Sequence, residues 1–111
     1  MSAITDTIPF GLSFRLRPLL ENVVGETPDA KITNLLRGTI QSNLEACERD
    51  QLELEFKYGL EYEDFKLELE SGRLGDEFGF GLEMDAMRWA DLVAEKRHWL
   101  QQLRALNALS Q

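Results

Sequence analysis

The chain has 111 residues, 20 acidic against 12 basic side chains, a formal net charge of −8 and 43% hydrophobic residues. That length predicts one domain over residues 1–111, and ordinary hydrophobic content excludes a disordered chain. No apolar run approaches the roughly 20 residues of a membrane helix, and the start "MSAITDTIPF" lacks the basic-then-apolar order of a secretory leader.

Residues 1–25 read as an N-terminal arm or short helix. Pro9 and Gly11 leave the first twelve residues irregular. "SFRLRPLLENVVG" allows a helix from Ser13 to Val24, closed by Gly25 and kinked or restarted at Pro18. A sharper start follows: Thr27 is a candidate N-cap, Pro28 the first helical residue and Asp29 a carboxylate in the positive first turn. From there Ile32, Leu36, Ile40, Leu44, Cys47, Gln51, Leu54 and Tyr58 step by three or four. That stripe predicts a long helix over 27–58, ended by Gly59.

Leu52 to Gly72, "LELEFKYGLEYEDFKLELESG", alternates apolar and charged residues as a half-buried strand pair would. It contains no Val, Ile or Thr, however, and its Leu, Glu and Lys are the better helix formers. Lys-Tyr-Gly-Leu is not a favoured hairpin turn either. Tyr62, Phe65 and Leu69 keep a three-then-four spacing, so a break at Gly59 and a short helix over 62–71 are expected.

"GRLGDEFGFGLEM" then places Gly72, Gly75, Gly79 and Gly81 around Phe78 and Phe80, as in a loop that approaches another surface closely. It is not a phosphate loop, since no Gly-Lys-Ser/Thr ending follows. A last helix over 84–107 carries Ala86, Trp89, Val93, Lys96, Leu100 and Leu103 on one stripe, widened by Leu92, Trp99 and Leu106. The expected fold is therefore all-α: a long antiparallel helical hairpin with a short intervening helix and an N-terminal arm. Such a pair alone buries little, so a homodimer or a docked partner is expected.

Charge narrows the partners. Residues 1–40 carry four acids and four bases, so the whole acidic excess follows residue 40. Nucleic acid phosphate would be repelled, and a basic protein partner fits the sign. The single Cys47 cannot form an internal disulfide, consistent with a reducing cytoplasm.

Little in the chain points to a reaction. Glu95 and His98 have the Glu-x-x-His spacing that carboxylate-bridged iron bundles use, and Glu45 or Glu48 could add a ligand. A lone helical histidine is more often a surface or packing residue. With one histidine and one cysteine, a zinc site or a nucleophilic triad lacks its parts. No enzyme and no cofactor are expected. Phe56, Tyr58, Tyr62, Phe65, Phe78, Phe80, Trp89 and Trp99 crowd the second half, and aromatics beyond what a small core can hold would serve an interface.

Glu55 to Val93, "EFKYGLEYEDFKLELESGRLGDEFGFGLEMDAMRWADLV", resembles the C-terminal part of small prokaryotic antitoxin-like proteins. There a helix ends in an aromatic-Gly step (here Tyr58-Gly59), and a short acidic helix follows with a central Phe (Phe65). A Gly-containing turn (Gly72 to Gly75) leads to an Asp and a Trp (Asp85, Trp89) opening a final helix. The resemblance implies a helical protein that wraps or caps a small toxin, often a ribonuclease, and silences it. Residues 1–40 match no DNA-binding half, so repression is not carried over. The candidate partner-binding residues are Tyr58, Phe65, Phe78, Phe80 and Trp89, with the carboxylates of residues 61–77 opposing a basic surface. Two other classes remain: a structural coiled-coil or adaptor homodimer, and an iron-binding helical protein built on Glu95 and His98.

Overall fold

The computed structural model describes residues 14–75, 79 and 81–109. They form helices and no strand: α1 Arg17–Leu20, α2 Pro28–Tyr58, α3 Tyr62–Glu70 and α4 Gly81–Leu109. None of these helices is long and apolar enough to cross a membrane. The chain divides into two compact units, residues 1–38 and 39–111, and α2 begins in the first and ends in the second.

In the first unit the helix expected over Ser13 to Val24 is a single turn. Pro18 sits in that turn, where a missing N–H leaves no bond unmade. The chain does not continue as helix because its carbonyls go elsewhere. The Lys31 ammonium donates to the Leu20 and Val23 carbonyls at 2.8 and 2.9 Å, and the Asn34 amide donates to the Val24 carbonyl at 2.6 Å. The start of α2 thus holds the preceding loop. Gly25 makes the close approach possible: its φ is +145°, and a Cβ there would lie 2.7 Å from the Lys31 backbone nitrogen. Thr27 caps α2, its hydroxyl accepting from the Ala30 N–H at 3.0 Å. None of residues 14–38 is buried, and Phe14, Leu16, Leu19, Val24, Leu35 and Leu36 are all exposed.

The second unit contains the core. Ile40, Leu44, Cys47, Leu54 and Tyr58, all on the three-four stripe of α2, are buried. Ile40 and Leu44 cluster with Leu106 of α4, while Cys47, Leu54 and Tyr58 cluster with Phe65 of α3 and with Trp89 and Leu92 of α4. Trp99 packs against both clusters. The alternating stretch from Leu52 is helical through Tyr58. The helical turn splits the period of two, placing Leu54 and Tyr58 inside and leaving Leu52 and Phe56 outside.

Both ends of the short connector are capped by backbone. Gly59 takes φ +67° and its N–H donates to the Glu55 carbonyl at 2.7 Å, which closes α2. The last turn of α3 ends in paired bonds, Arg73 N–H to the Glu68 carbonyl and Gly72 N–H to the Leu69 carbonyl, both at 3.1 Å. The Arg73 side chain adds an ion pair to Glu68 at 2.8 Å. Glu63 and Asp64 occupy the positive first turn of α3. Helix α4 begins at Gly81, three residues before Met84, so the final glycine of the Gly-Phe run is already helical.

Two glycines give opposite predictions. Gly38 lies inside α2 with nothing within 4 Å of an added Cβ, so Gly38→Ala should raise stability by about 0.5–1 kcal/mol through helix propensity. Gly59 has the same open space but a left-handed backbone, so Gly59→Ala should lower stability by roughly 1–2 kcal/mol. Urea midpoints of the two variants, read by circular dichroism, should move in opposite directions.

Candidate functional site

Three expected partner-binding residues are interior. Trp89 is 0% exposed, Phe65 1% and Tyr58 8%, which leaves their rings little surface. They pack on one another instead: Phe65 and Trp89 have ring centroids 4.6 Å apart, Tyr58 and Phe65 4.8 Å, and Tyr62 and Trp89 5.6 Å. The reason is angular. Tyr58 lies on the core stripe of α2, Phe65 on the inner face of α3, and Trp89 on the stripe of α4. Phe78 and Phe80, the other two expected anchors, lie outside the described residues.

Above the aromatic cluster lies a polar junction. One oxygen of Asp85 accepts both from the Lys57 ammonium and from the Tyr58 hydroxyl, each at 2.6 Å. These hydrogen bonds hold the Asp85 carboxyl below its usual range, against a smaller opposing effect of burial. Tyr58 is displaced the other way: burial, then the hydrogen bond to Asp85 and that carboxylate's charge, push its hydroxyl well above the ordinary phenol range. Lys57 is half exposed, so its ion pair is screened by solvent. The junction locks the end of α2 to the first turns of α4.

Glu95 and His98 are both in contact with Trp99. His98 is exposed, its ring edge-on to Trp99 at 4.9 Å, and Glu95 accepts from the Trp99 indole at 3.4 Å. Among the described residues no group of three or more His, Cys, Asp or Glu side chains is placed to hold a metal ion. Cys47 is buried, and burial followed by neighbouring Glu95 push its thiol up, away from the reactive thiolate.

The second unit's surface is acidic with apolar residues set in it. Phe56 is 83% exposed and Leu52, one turn earlier on α2, is 51% exposed. Leu67 of α3 and Met84 and Met87 of α4 are also exposed. Leu52 and Phe56 were not among the expected anchors. Their signal was in the sequence nonetheless, because both fall off the stripe through Leu44, Cys47, Leu54 and Tyr58.

Acid and alkali should probe the Asp85 junction separately. A carboxyl with a depressed folded pKa contributes stability that is complete above its unfolded value of about 3.9 and lost as pH falls through the folded value. A tyrosine with a raised folded pKa contributes stability that is lost as pH rises past its unfolded value of about 10. Asp85→Asn should cost about 1–3 kcal/mol at neutral pH, with the deficit shrinking below about pH 4. Tyr58→Phe should remove much of the alkaline loss. Urea unfolding followed across pH checks both.

Compared with known protein families, curated proteins and solved structures, the chain matches none of them.

Proposed function

We propose that the chain is a non-enzymatic binding protein that neutralises a small basic protein partner by direct contact, as antitoxin-like proteins do. The observation that carries this reading is the exposed apolar residues of the second unit, Phe56 above all, standing among unpaired carboxylates. Among the described residues of the second unit Glu45, Glu53, Glu55, Glu61, Glu63, Asp64, Glu70, Glu83, Asp91 and Glu95 engage in no ion pair, and seven of these ten precede or lie within α3. A basic partner gains twice there, from apolar burial and from opposite charge.

In this reading α2 and α4 form an antiparallel hairpin. Its support is the order of contacts: Lys57 meets Asp85 at the start of α4, Glu48 meets Lys96, and Ile40 and Leu44 meet Leu106 near its end. The setting is cytoplasmic, in keeping with a free buried Cys47. A second reading, a structural homodimer, draws on the first unit. There Phe14, Leu16, Leu19 and Val24 are exposed in a segment whose charges balance, so a second copy would not be repelled.

A pull-down from native lysate with the purified chain, followed by the mass of the intact complex, separates the two. The expected result is one small basic protein held in fixed stoichiometry. Recovery of self-complexes alone would replace the neutralisation reading with the structural homodimer.

A further inference from the structure

The outer face of α2 carries a second stripe, distinct from the one that forms the core. Gln41, Glu45, Glu48, Leu52 and Phe56 step by 4, 3, 4 and 4, so they share one side of the helix over about 22 Å. The two ends of the stripe differ in kind. At the C-terminal end Leu52 and Phe56 form an exposed apolar step one turn long. At the N-terminal end an open cleft of about 320 Å³ is lined by Gln41, Leu44, Glu45 and Glu48. Leu44 gives this cleft an apolar floor, and the two carboxylates give it an acidic rim.

This shallow, open depression offers a long basic side chain an apolar floor and two carboxylates. Arg or Lys lays its methylene stem on apolar surface and keeps its charged head among acceptors. Glu48 is already 3.2 Å from Lys96, while Glu45 has no ion pair among the described residues. A guanidinium placed between them would add a partner for Glu45 without displacing Lys96.

The geometry points to this face as the docking site for a basic amphipathic helix of a partner protein. This deepens the proposed function and rests on it. A stripe along a single helix is complementary to another helix, whose side-chain ridges fit its grooves at an axial separation of about 8–10 Å. Phe56 lies eleven residues from Glu45, about 16 Å along the axis. The partner helix therefore carries an apolar pair one turn apart and an Arg or Lys about three turns away. Charge favours a basic occupant over a second copy. The stripe and its flanks hold Glu45, Glu48 and Glu55 against Arg49, while Asp50 lies on the opposite side of the helix paired with Arg88, so two such faces would set acid against acid.

The test uses the full chain and two synthetic peptides of equal composition. One is an amphipathic helix with a leucine face flanked by arginines; the other is its scramble. Fluorescence anisotropy should show the amphipathic peptide bound more tightly than the scramble. Leu52→Ser with Phe56→Ser should weaken that binding by about tenfold or more. Both positions are exposed, so helicity should be unchanged. Glu45→Gln with Glu48→Gln should also weaken it and flatten its dependence on salt. Met84→Ser with Met87→Ser, on α4, should leave it intact.

Equal binding of the two peptides, or native affinity in the Leu52 and Phe56 variant, overturns the assignment. So does a solution dimer that this variant dissociates, since the occupant would then be a second copy. If the variant still retains the basic protein captured from lysate, the face is wrong while the neutralisation reading stands. If the native chain retains no basic protein and ignores the amphipathic peptide, both fall.

Discussion

The second unit depends on the burial of one indole. Trp89 has no exposed surface, and α2, α3 and α4 each place a ring or an aliphatic side chain in its cluster. Its indole N–H and the Gln51 side-chain amide nitrogen are buried without hydrogen-bond partners. The magnitudes show which effect prevails. A buried Trp removes up to about 250 Å² from water, worth roughly 6 kcal/mol, while an orphaned donor costs about 1–3 kcal/mol. The ring's area wins, and three helices are held around one side chain despite the loss. The short α3 enters the same cluster through Phe65, its one buried residue, which packs 4.6 Å from Trp89 and 4.8 Å from Tyr58.

The Asp85 junction gives this apolar contact a direction. Burial alone would tolerate α4 rotated or slid by a fraction of a turn, because apolar attraction has no preferred angle. The paired bonds from Lys57 and Tyr58 fix one register, and they sit one turn of α4 before Trp89. Tyr58 belongs to both systems. Its ring stacks in the cluster 4.8 Å from Phe65 while its hydroxyl reaches the carboxylate.

The helical class was legible because the stripe of α2 runs unbroken to Tyr58 and because Leu, Glu and Lys outweigh the period of two that follows. The caps at Thr27 and Gly59 were legible from residue type alone. The number of aromatics says less about where they lie than their spacing does. Tyr58, Phe65 and Trp89 each lie on an apolar stripe of their own helix, and that placement, more than their number, sends them inward; Phe56 lies off the stripe of α2 and is exposed. The one-turn α1 could not be foreseen, because the Lys31 ammonium that takes its neighbours' carbonyls comes from the next helix. Nor does any sequence pattern announce a tryptophan left without an acceptor.

The ion pairs show which charges the fold uses. Three bases, Lys57, Arg88 and Lys96, face Asp85, Asp50 and Glu48 across α2 and α4. Arg73 is absorbed by Glu68 at the end of α3. Exposed pairs of this kind contribute about 0–1 kcal/mol each, so they orient the helices more than they stabilise them. The pairing consumes bases at the seam and leaves carboxylates pointing outward, Glu45 and Glu53 on α2 and a cluster on α3. On the proposed reading this division sets the kinetics of binding. The outward carboxylates act over about 8 Å at physiological salt and steer a basic partner in. The apolar step at Leu52 and Phe56 acts only at contact, so it governs how long the partner stays. A protein so arranged can lose surface charge and bind slowly, or lose Phe56 and release quickly, with the aromatic core around Trp89 intact in both cases.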